Sequence, residues 1–348
     1  MPVPLLAELA LALTLLALGA LLVACAPFLA CLRAALLCAR PRARPRPARR
    51  LAVVVSGCDS GLGAELAEEL RSCGFSVFAG CLTEAGVAQL AGREGVEAAR
   101  LDVTSDGSVA SFRSALRAWL GAGSDRRLHA VVGNAGVTTQ GLVDWCAMSD
   151  FERCVAVNFL GNVRLVKALL PELHAAASST RSAGGAAEAA PRIVLTSSMS
   201  GLVSFGGAAA YSSSKFALEG FADALRRELD EWGVDVSLVE PSVMKTSMAL
   251  GVEAAARAQY AALPAEVRAR WGDEAAFEKD VAIVRGFMRL ASPSSVAANA
   301  LADAVRAARP AARYRVGRGM CCLFPLLGAM PSFVADALFV RPRRSGRK

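Results

Sequence analysis

Two residues that could transfer a proton lie four positions apart in the segment AYSSSK, Tyr211 and Lys215. Positions i and i+4 of a helix share one face, so the two side chains could reach the same ligand. A nearby ammonium favours the ionised form of a phenol and lowers its pKa from about 10. The pair predicts a proton donor and acceptor that works near neutral pH, although an ordinary amphipathic helix can begin with the same spacing.

Three glycines follow the first apolar run, in the segment SGCDSGLGAE: Gly57, Gly61 and Gly63. Glycines let a backbone turn approach a pyrophosphate, and the helix that follows offers its N-terminus to the negative charge. The spacing G-x-x-x-G-x-G differs from the G-x-G-x-x-G fingerprint. Glycine-rich strand ends also form plain tight turns, and the position after the first strand is what favours a nucleotide site.

Polar or small residues end three later strands of the predicted sheet. Asp102 ends the third, where its carboxylate could accept from an adenine amino group or simply terminate the strand. The segment GNAG, residues 133–136, ends the fourth and leaves room for a flat ring or a ribose. Ser198 ends the fifth, thirteen residues before Tyr211. Because the carboxyl ends of parallel strands share one edge of a sheet, we expect a single ligand site there.

Short apolar runs alternate with helical segments from Leu51 onward, through six predicted strands. This alternation predicts an α/β fold with a doubly wound, Rossmann-like parallel sheet in a single domain, residues 51–318. Residues 175–191 are low in complexity and predict a disordered surface insertion. Residues 247–290 are helical, charged and partly apolar, as expected of a substrate lid.

The net charge of +8 is concentrated at the two ends of the chain, while the body between them is mildly acidic. We find no nucleic-acid-binding motif, so the basic ends favour a membrane surface. Ten cysteines include no C-x-x-C pair, and the chain has two histidines. These counts argue against a metal site or a histidine-based triad and favour buried thiols in a reducing compartment.

Residues 3–32 contain one charged residue, Glu8, and are long enough to span a bilayer. No positive segment precedes the run, and it is too long for a signal peptide, so we expect a retained transmembrane anchor over residues 1–39. A mitochondrial transit peptide fits less well, because no Arg or Lys precedes Arg33. Residues 40–50 alternate Arg with Pro and Ala and predict an extended basic linker.

Six arginines in this linker predict that the body of a single-pass protein stays in the cytosol and the N-terminus in the lumen. The endoplasmic reticulum is the expected membrane, ahead of the mitochondrial inner membrane. Residues 319–348 form an apolar C-terminal segment and a basic tail. Glycine and proline interrupt the apolar stretch, so capping the core, lying against the membrane and a second span all stay open.

These separated motifs resemble the short-chain dehydrogenase/reductase family over residues 51–318. Within it, GCDSGLG, CLTEAG, the segment around Tyr211 and MPSFVADALF resemble a membrane-associated branch. That branch includes retinol dehydrogenases, hydroxysteroid dehydrogenases and 3-hydroxybutyrate dehydrogenase. The resemblance implies that Tyr211 is the catalytic acid/base and that Lys215 lowers its pKa and binds the nicotinamide ribose. It also implies that Ser198 polarises the reacting oxygen and that Asn158, in AVNFLGN, holds a proton-relay water.

The resemblance implies a nucleotide cofactor as well. The cofactor-binding residues are then Gly57, Asp59, Ser60, Gly61, Leu62, Gly63, Asp102, Val103, Asn134, Ala135, Gly136, Tyr211, Lys215, Pro241 and Thr246. Neither CLTEAG nor CDSGLG contains a basic residue that could pair the 2′-phosphate of NADP, and Glu84 would repel it. NAD is therefore the expected cofactor, with NADP second and no metal.

Three positions depart from the family pattern. Ser56 stands where threonine is common, and Gly133 stands where an asparagine side chain usually supports the turn. Ser242 follows Pro241 where glycine is usual, and serine lacks glycine's freedom at positive φ. These departures keep open a second interpretation, a catalytically weak nucleotide-binding scaffold.

We expect the substrate to be a lipophilic alcohol, a steroid or a retinoid, because the predicted pocket is apolar and a membrane anchor suits molecules that partition into lipid. The predicted lining is Leu142, Val143, Trp145, the segment GLVSFGGAAA and the lid. A 3-hydroxybutyrate-type dehydrogenase is the alternative, but that small anion requires a cationic contact that we cannot identify. Membrane lipid is the other expected partner, and the family implies that a homodimer can form.

Overall fold

The computed structural model describes residues 50–121, 126–182, 190–271, 274–317 and 323–339. All of them belong to one compact unit of the chain, Arg44–Lys348. The predicted N-terminal anchor, the basic linker up to Arg49 and the basic tail lie outside the described residues.

Parallel strands dominate the described part of the chain. The strands are β1 (Leu51–Ser56), β2 (Ser76–Cys81), β3 (Val96–Arg100), β4 (Arg127–Gly133), β5 (Arg192–Thr196), β6 (Asp235–Pro241), β7 (Met244–Lys245), β8 (Ser292–Pro293) and β9 (Arg313–Val316). Seven of them form one parallel sheet in the order β3–β2–β1–β4–β5–β6–β9. The strand order reverses where β1 lies between β2 and β4, which confirms the predicted doubly wound sheet.

Helices cover both faces of this sheet. They are α1 (Gly61–Ser72), α2 (Glu84–Leu90), α3 (Asp106–Gly121), α4 (Met148–Val155), α5 (Gly161–Ser182), α6 (Ala209–Glu228), α7 (Ser247–Leu250), α8 (Val252–Ala262), α9 (Ala265–Trp271), α10 (Glu274–Arg289), α11 (Ser294–Arg306), α12 (Leu323–Ala329) and α13 (Ser332–Phe339). Alternate residues of β1 point to opposite faces. Val54 packs in a core with Leu165 of α5, and Val53 packs in a second core with Leu301 of α11. Burial on both faces explains why β1 is an unbroken apolar run.

Four helices, α7 to α10, form the region predicted to be helical after β6. β7 pairs with β8, so the two ends of this helical region are held together. Tyr260 and Phe277 stack with ring centroids 4.1 Å apart and form a small core with Leu263, Val267 and Val281. Trp145, from the loop after β4, packs against the same core. The helical region therefore packs against Trp145, a residue of the predicted substrate pocket.

Helix α5 continues to Ser182, so the prediction of disorder over residues 175–191 is wrong for residues 175–182. Alanine-rich sequence favours a helix, and Ala176 and Ala177 are buried. Thr180 Oγ1 also accepts a hydrogen bond of 3.0 Å from Arg127 Nη1 of β4. Low complexity here reflects helix propensity and tight packing. Residues 183–189 lie outside the described part of the chain.

One described helical stretch, Met148–Thr180, is long and apolar enough to cross a membrane. Its side chains Leu165, Leu169 and Leu173 are fully buried in the main core beside the sheet. Core helices of doubly wound folds have this composition, so burial in the fold accounts for the apolar side chains of this stretch.

The edge strand β9 is absent from the sequence-based prediction. Its sequence, RYRV, carries two arginines and lacks an apolar run. The Nε atoms of Arg313 and Arg315 lie 3.0 and 2.8 Å from the buried carboxylate of Glu240 on β6. Ion pairs therefore fix this strand, and apolar patterning does not reveal them.

His129 of β4 is 2% exposed and stacks on Phe75, with ring centroids 5.8 Å apart. Burial, together with the charge of Arg192, lowers the pKa of His129 to about 3. In the unfolded chain the imidazole has a pKa of about 6.5. Between about pH 3 and pH 6.5 the unfolded state therefore binds one proton more than the folded state. The resulting stability is present above about pH 6.5 and is lost on acidification, by about 1.4 kcal/mol per pH unit.

We therefore expect His129→Phe to flatten the acid side of the stability curve, because the variant lacks this proton linkage. Urea titrations between about pH 6.5 and pH 4 measure the free energy of unfolding that decides this. Val131→Ala, in the same strand, is the control for a destabilised core and should keep the slope of the wild type. If the unfolding free energy of His129→Phe depends on pH as steeply as that of the wild type, then other groups bind the protons.

Candidate active site

Tyr211 and Lys215 share one face of α6, with Lys215 Nζ 5.7 Å from the centre of the Tyr211 ring. Ser198 lies beside the Tyr211 hydroxyl and acts to lower its pKa. Ser198 is two residues beyond the end of β5 and opens a 3₁₀ turn, Met199–Gly201. Three residues from two separate segments therefore meet at the carboxyl edge of the sheet.

Lys215 is 4% exposed, and its Nζ donates to the carbonyl oxygen of Thr196 at 2.7 Å. Burial lowers the pKa of Lys215 to about 8, while Glu219 and Cys154 act to raise it. A side chain that titrates so close to neutral pH changes its charge in response to small changes in its surroundings. Lys215 is thus electrostatically sensitive as well as fixed in place.

Burial raises the pKa of Tyr211 above its ordinary value, and Ser198 acts in the opposite direction. Desolvation disfavours a phenolate. The effect of Lys215 on the Tyr211 pKa stays a prediction.

Asn158 is fully buried in a single π-helical turn, Ala156–Leu160, that joins α4 to α5. Its Oδ1 accepts from Val137 N at 2.8 Å, and its Nδ2 donates to Val137 O and to Ser214 Oγ, both at 2.9 Å. Ser214 precedes Lys215 on α6. Asn158 therefore joins the end of β4 to the helix that carries Tyr211 and Lys215, and π-turns of this kind are frequent at functional sites.

The glycine turn after β1 approaches the end of β4 closely. Gly57 has a φ of 73°, which favours glycine, and a Cβ on it would lie 2.9 Å from Ala135 Cα. A Cβ on Gly63 would lie 2.0 Å from Gly57 O, so the first turn of α1 packs on the turn's backbone. Ser60 occupies the N-cap position of this helix. A close backbone turn at a helix N-terminus is the arrangement that binds a pyrophosphate.

The segment after β4 connects this turn to Lys215. Asn134 Nδ2 donates to Ser56 O at 3.0 Å, and the Ser56 hydroxyl accepts from the backbone amides of Asn134 and Ala135 at 2.9 and 3.0 Å. A Cβ on Gly136 would lie 3.9 Å from Lys215 Nζ. Serine at position 56 therefore provides the hydroxyl that this junction needs.

Gly133 also has a structural explanation. A Cβ at this position would lie 2.0 Å from Asn162 Oδ1, because the Asn162 carboxamide fills the space above the strand. Asn162 is buried, and its Nδ2 donates to Asn158 O at 2.8 Å. The side chain expected at position 133 is thus replaced by one from α5, which also supports the π-helical turn. The sequence-based view that Gly133 only loses a contact is wrong.

Ser242 is equally well accommodated. No non-glycine residue in the described ranges has a positive φ, so Ser242 carries none of the strain expected for it. Its backbone amide donates to Val316 O at 2.8 Å, and the residue with positive φ is Gly317, at 119°. A Cβ on Gly317 would lie 1.7 Å from Ser242 Oγ. Glycine at position 317, just after strand β9, therefore leaves the space that the Ser242 side chain fills.

The two predicted acidic cofactor residues differ in their contacts. Asp59 accepts from the backbone amides of Leu82 and Thr83 at 2.7 and 2.8 Å, and from the Thr83 hydroxyl at 2.7 Å. It therefore shapes the turn after β2. Asp102 Oδ1 accepts from Thr104 N and Thr104 Oγ1, at 2.9 and 2.7 Å. Those bonds orient the carboxylate at the end of the third strand.

The remaining predicted cofactor residues lie around the same edge. Val103 is buried, and a Cβ on Gly161 of α5 would lie 2.6 Å from its Cγ2. Leu62 is half-buried in α1, and Pro241 ends β6. Thr246 is the N-cap of α7, where its hydroxyl accepts from Ala249 N at 3.3 Å.

Arg100 is a residue that the sequence did not single out. Its Nε lies 3.4 Å from Glu84 Oε1, and both side chains are largely exposed. Arg100 ends β3, which is why a search limited to the loop after β2 did not find it. The pair places a cation beside the acid that was expected to repel a 2′-phosphate.

Comparison with known proteins identifies the family to which this fold belongs. Residues 51–257 match the short chain dehydrogenase family. The chain is 31% identical over 294 residues to 17-beta-hydroxysteroid dehydrogenase type 6 of Bos taurus, covering 83% of this chain and 87% of that protein. It is 32% identical over 306 residues to retinol dehydrogenase 5 of Mus musculus, covering 85% and 91%.

Two further similarities bear on fold and breadth. Mitochondrial D-beta-hydroxybutyrate dehydrogenase of Rattus norvegicus is 33% identical over 274 residues, which cover 76% of each chain. The fold resembles a short-chain dehydrogenase from Streptomyces avermitilis with a TM-score of 0.61 and 24% identity, covering 82% of this chain and 92% of that one. The chain belongs to the short-chain dehydrogenase/reductase family, in the branch of retinol and hydroxysteroid dehydrogenases. It is an NAD(P)-dependent dehydrogenase of CH–OH groups.

Proposed function

We propose that this enzyme uses NAD to interconvert a hydroxyl and a carbonyl group on a lipophilic alcohol, a steroid or a retinol. The observation that carries the proposal is the arrangement of Tyr211 and the buried Lys215 on one face of α6, with Lys215 Nζ 5.7 Å from the Tyr211 ring centre and Ser198 beside them. The alternative of a catalytically weak scaffold rested on Gly133 and Ser242. Asn162 and Gly317 accommodate those two residues, so they give the scaffold no support.

The residues around the sheet edge fit a dinucleotide. Gly57, Gly61, Gly63 and the N-terminus of α1 would hold the pyrophosphate, because they form a close turn at a helix start. Asp102 and Val103 would contact the adenine. The segment Asn134–Gly136 would face the riboses, with Pro241 and Thr246 at the nicotinamide amide.

The nicotinamide, when bound, accepts a hydride from the carbinol carbon. Tyr211 takes the hydroxyl proton as the C–O bond becomes a carbonyl, and in the reverse direction it returns that proton. Ser198 donates a hydrogen bond to the reacting oxygen. Lys215 holds the ribose and favours the tyrosinate against the desolvation that raises the Tyr211 pKa. Asn158 keeps α6 in place and holds the relay water.

Aromatic side chains from three segments pack together around Phe205, six residues before Tyr211 in the sequence. The Phe205 ring centroid lies 6.4 Å from that of Phe287 on α10 and 5.5 Å from that of Phe324 on α12. This apolar cluster supports a steroid or a retinoid as the substrate, the classes named in two of the relatives. The hydroxybutyrate relative keeps a small hydroxy acid as the second candidate.

The apolar run at residues 3–32 and the arginine-rich linker support a membrane location, which suits a lipophilic substrate. We infer one span, a luminal N-terminus and a catalytic body on the cytosolic side of the endoplasmic reticulum. Protease added to sealed microsomes should then digest the body without detergent. Full protection of residues 51–318 would reject this topology.

Tyr211→Phe removes the transferable proton and keeps most of the packing, so turnover should fall by about 100- to 10,000-fold with little change in NAD affinity. The measurement is kcat and nucleotide Kd with a panel of steroids, retinol and 3-hydroxybutyrate. Tyr314→Phe, which removes a hydroxyl on β9 away from the site, is the control. Near-normal turnover by Tyr211→Phe would refute the assignment of the proton-transferring group.

Cofactor choice gives a further prediction, based on the Glu84–Arg100 pair. The wild type should prefer NAD over NADP in kcat/KM. Glu84→Gln should narrow that preference, because it removes the repelling carboxylate and releases Arg100 to contact a 2′-phosphate. Arg100→Gln in the same background should restore the gap. A wild-type preference for NADP would overturn the proposed cofactor.

A further inference from the structure

A cluster of charged side chains lies behind Lys215, on the side of α6 that faces β6 and β9. Its members, which we call the Arg313 cluster, are Glu219, Asp223, Glu240, Arg313 and Arg315. None of these residues belongs to the predicted tetrad or to the cofactor site. They connect the helix that carries Tyr211 and Lys215 to the edge strand that sequence patterning did not reveal.

Arg313 is the centre of the Arg313 cluster. Its Nη2 lies 3.1 Å from Glu219 Oε2 and 3.0 Å from Asp223 Oδ2, and its Nε lies 3.0 Å from Glu240 Oε1. Arg315 Nε donates to Glu240 Oε2 at 2.8 Å. One guanidinium therefore bridges two carboxylates of α6, Glu219 and Asp223, and the carboxylate of Glu240 near the end of β6.

The carboxylates of this cluster lie beside guanidinium groups, and the two most buried, Glu219 and Glu240, are only 9% and 1% exposed. Asp223 also pairs with Arg226, whose Nη2 lies 3.3 Å from Asp223 Oδ1. A buried charge is costly unless a counter-charge lies close by. The ammonium of Lys215 is buried on the same helix one turn before Glu219, so the two opposite charges are placed to stabilise each other.

Packing keeps Glu219 and Lys215 against the same backbone. A Cβ on Gly201 would lie 3.1 Å from both Glu219 Cγ and Lys215 O. Gly201 belongs to the 3₁₀ turn that Ser198 opens. The turn that carries Ser198 thus packs over Glu219 and the backbone of Lys215, and both side chains are buried.

We propose that Glu219, held by Arg313, is a positioning residue that keeps the buried Lys215 in its ammonium form and so sets the upper pH limit of nucleotide binding and turnover. The proposal extends the proposed function, in which that ammonium binds the ribose. It assigns a role in the site to the edge strand β9.

The electrostatics of the surrounding groups agree with this role. Burial lowers the pKa of Lys215 to about 8, and Glu219 is the strongest influence in the opposite direction. Burial raises the pKa of Glu219 itself, and Arg313 counteracts that effect and helps keep the carboxylate charged. Cys154 of α4 also acts on Lys215, while Glu240 acts on Glu219. The other charged groups around this pair are Asp223, Arg226 and Arg315.

The test is the pH dependence of NADH binding, followed by fluorescence, and of kcat/KM for alcohol oxidation. Binding requires the ammonium, so it weakens as the pH rises through the pKa of Lys215. In Glu219→Gln this midpoint should move down by about one pH unit, a tenfold loss of proton affinity, because an opposite charge has been removed. Glu219→Asp, which keeps the charge, should retain the wild-type midpoint.

Asp223→Asn is the matched control, because it removes another carboxylate bound to Arg313 but lies one turn further from Lys215. Its midpoint should stay with the wild type. Glu219→Met provides a second uncharged side chain of similar length if the glutamine variant does not fold. A folded, uncharged variant with an unshifted midpoint would overturn the proposal. Wild-type protein that binds NADH but oxidises no alcohol would refute only the proposed function. The pH titration of NADH binding would still test the role of Glu219.

Discussion

Backbone atoms of two neighbouring strand ends come so close that no side chain fits between them. Gly57 lies against Ala135, and Gly63 lies against the carbonyl oxygen of Gly57. This approach fixes the start of α1 relative to the end of β4, and the Ser56 hydroxyl bonds both amides that follow β4. The rest of the site depends on it, because the same segment continues to Gly136 beside Lys215.

The second constraint is a buried positive charge. Lys215 Nζ donates to the carbonyl oxygen of Thr196 at the end of β5, and Glu219, one turn further along the helix, is paired with Arg313 of β9. Burial alone would favour the neutral amine, which is why the acidic residues behind it matter. A chain that binds a ribose through an ammonium in this position must organise counter-charges well outside the ligand site.

Much of the fold followed from local sequence. Unbroken apolar strands, glycine turns and helical periodicity predicted the doubly wound parallel sheet, and the shared edge of parallel strands predicted one ligand site at the strand ends. The parts that escaped depend on tertiary contacts. β9 is held by ion pairs, residues 175–182 are helical because alanines pack against the fold, and the Tyr211 pKa is governed by desolvation. None of these effects has a periodic signature in the sequence.

The departures from the family pattern follow one physical rule. A close packing contact fixes the total volume of the two residues that meet there, so either residue can supply the larger side chain. Asn162 fills the space that Gly133 leaves, and Gly317 leaves the space that Ser242 fills. Both exchanges keep the strand ends at the spacing that the site requires. A comparison of single positions with a family pattern therefore misses how much of the site geometry is retained, because the residue that fills or leaves the space lies on another element of the fold.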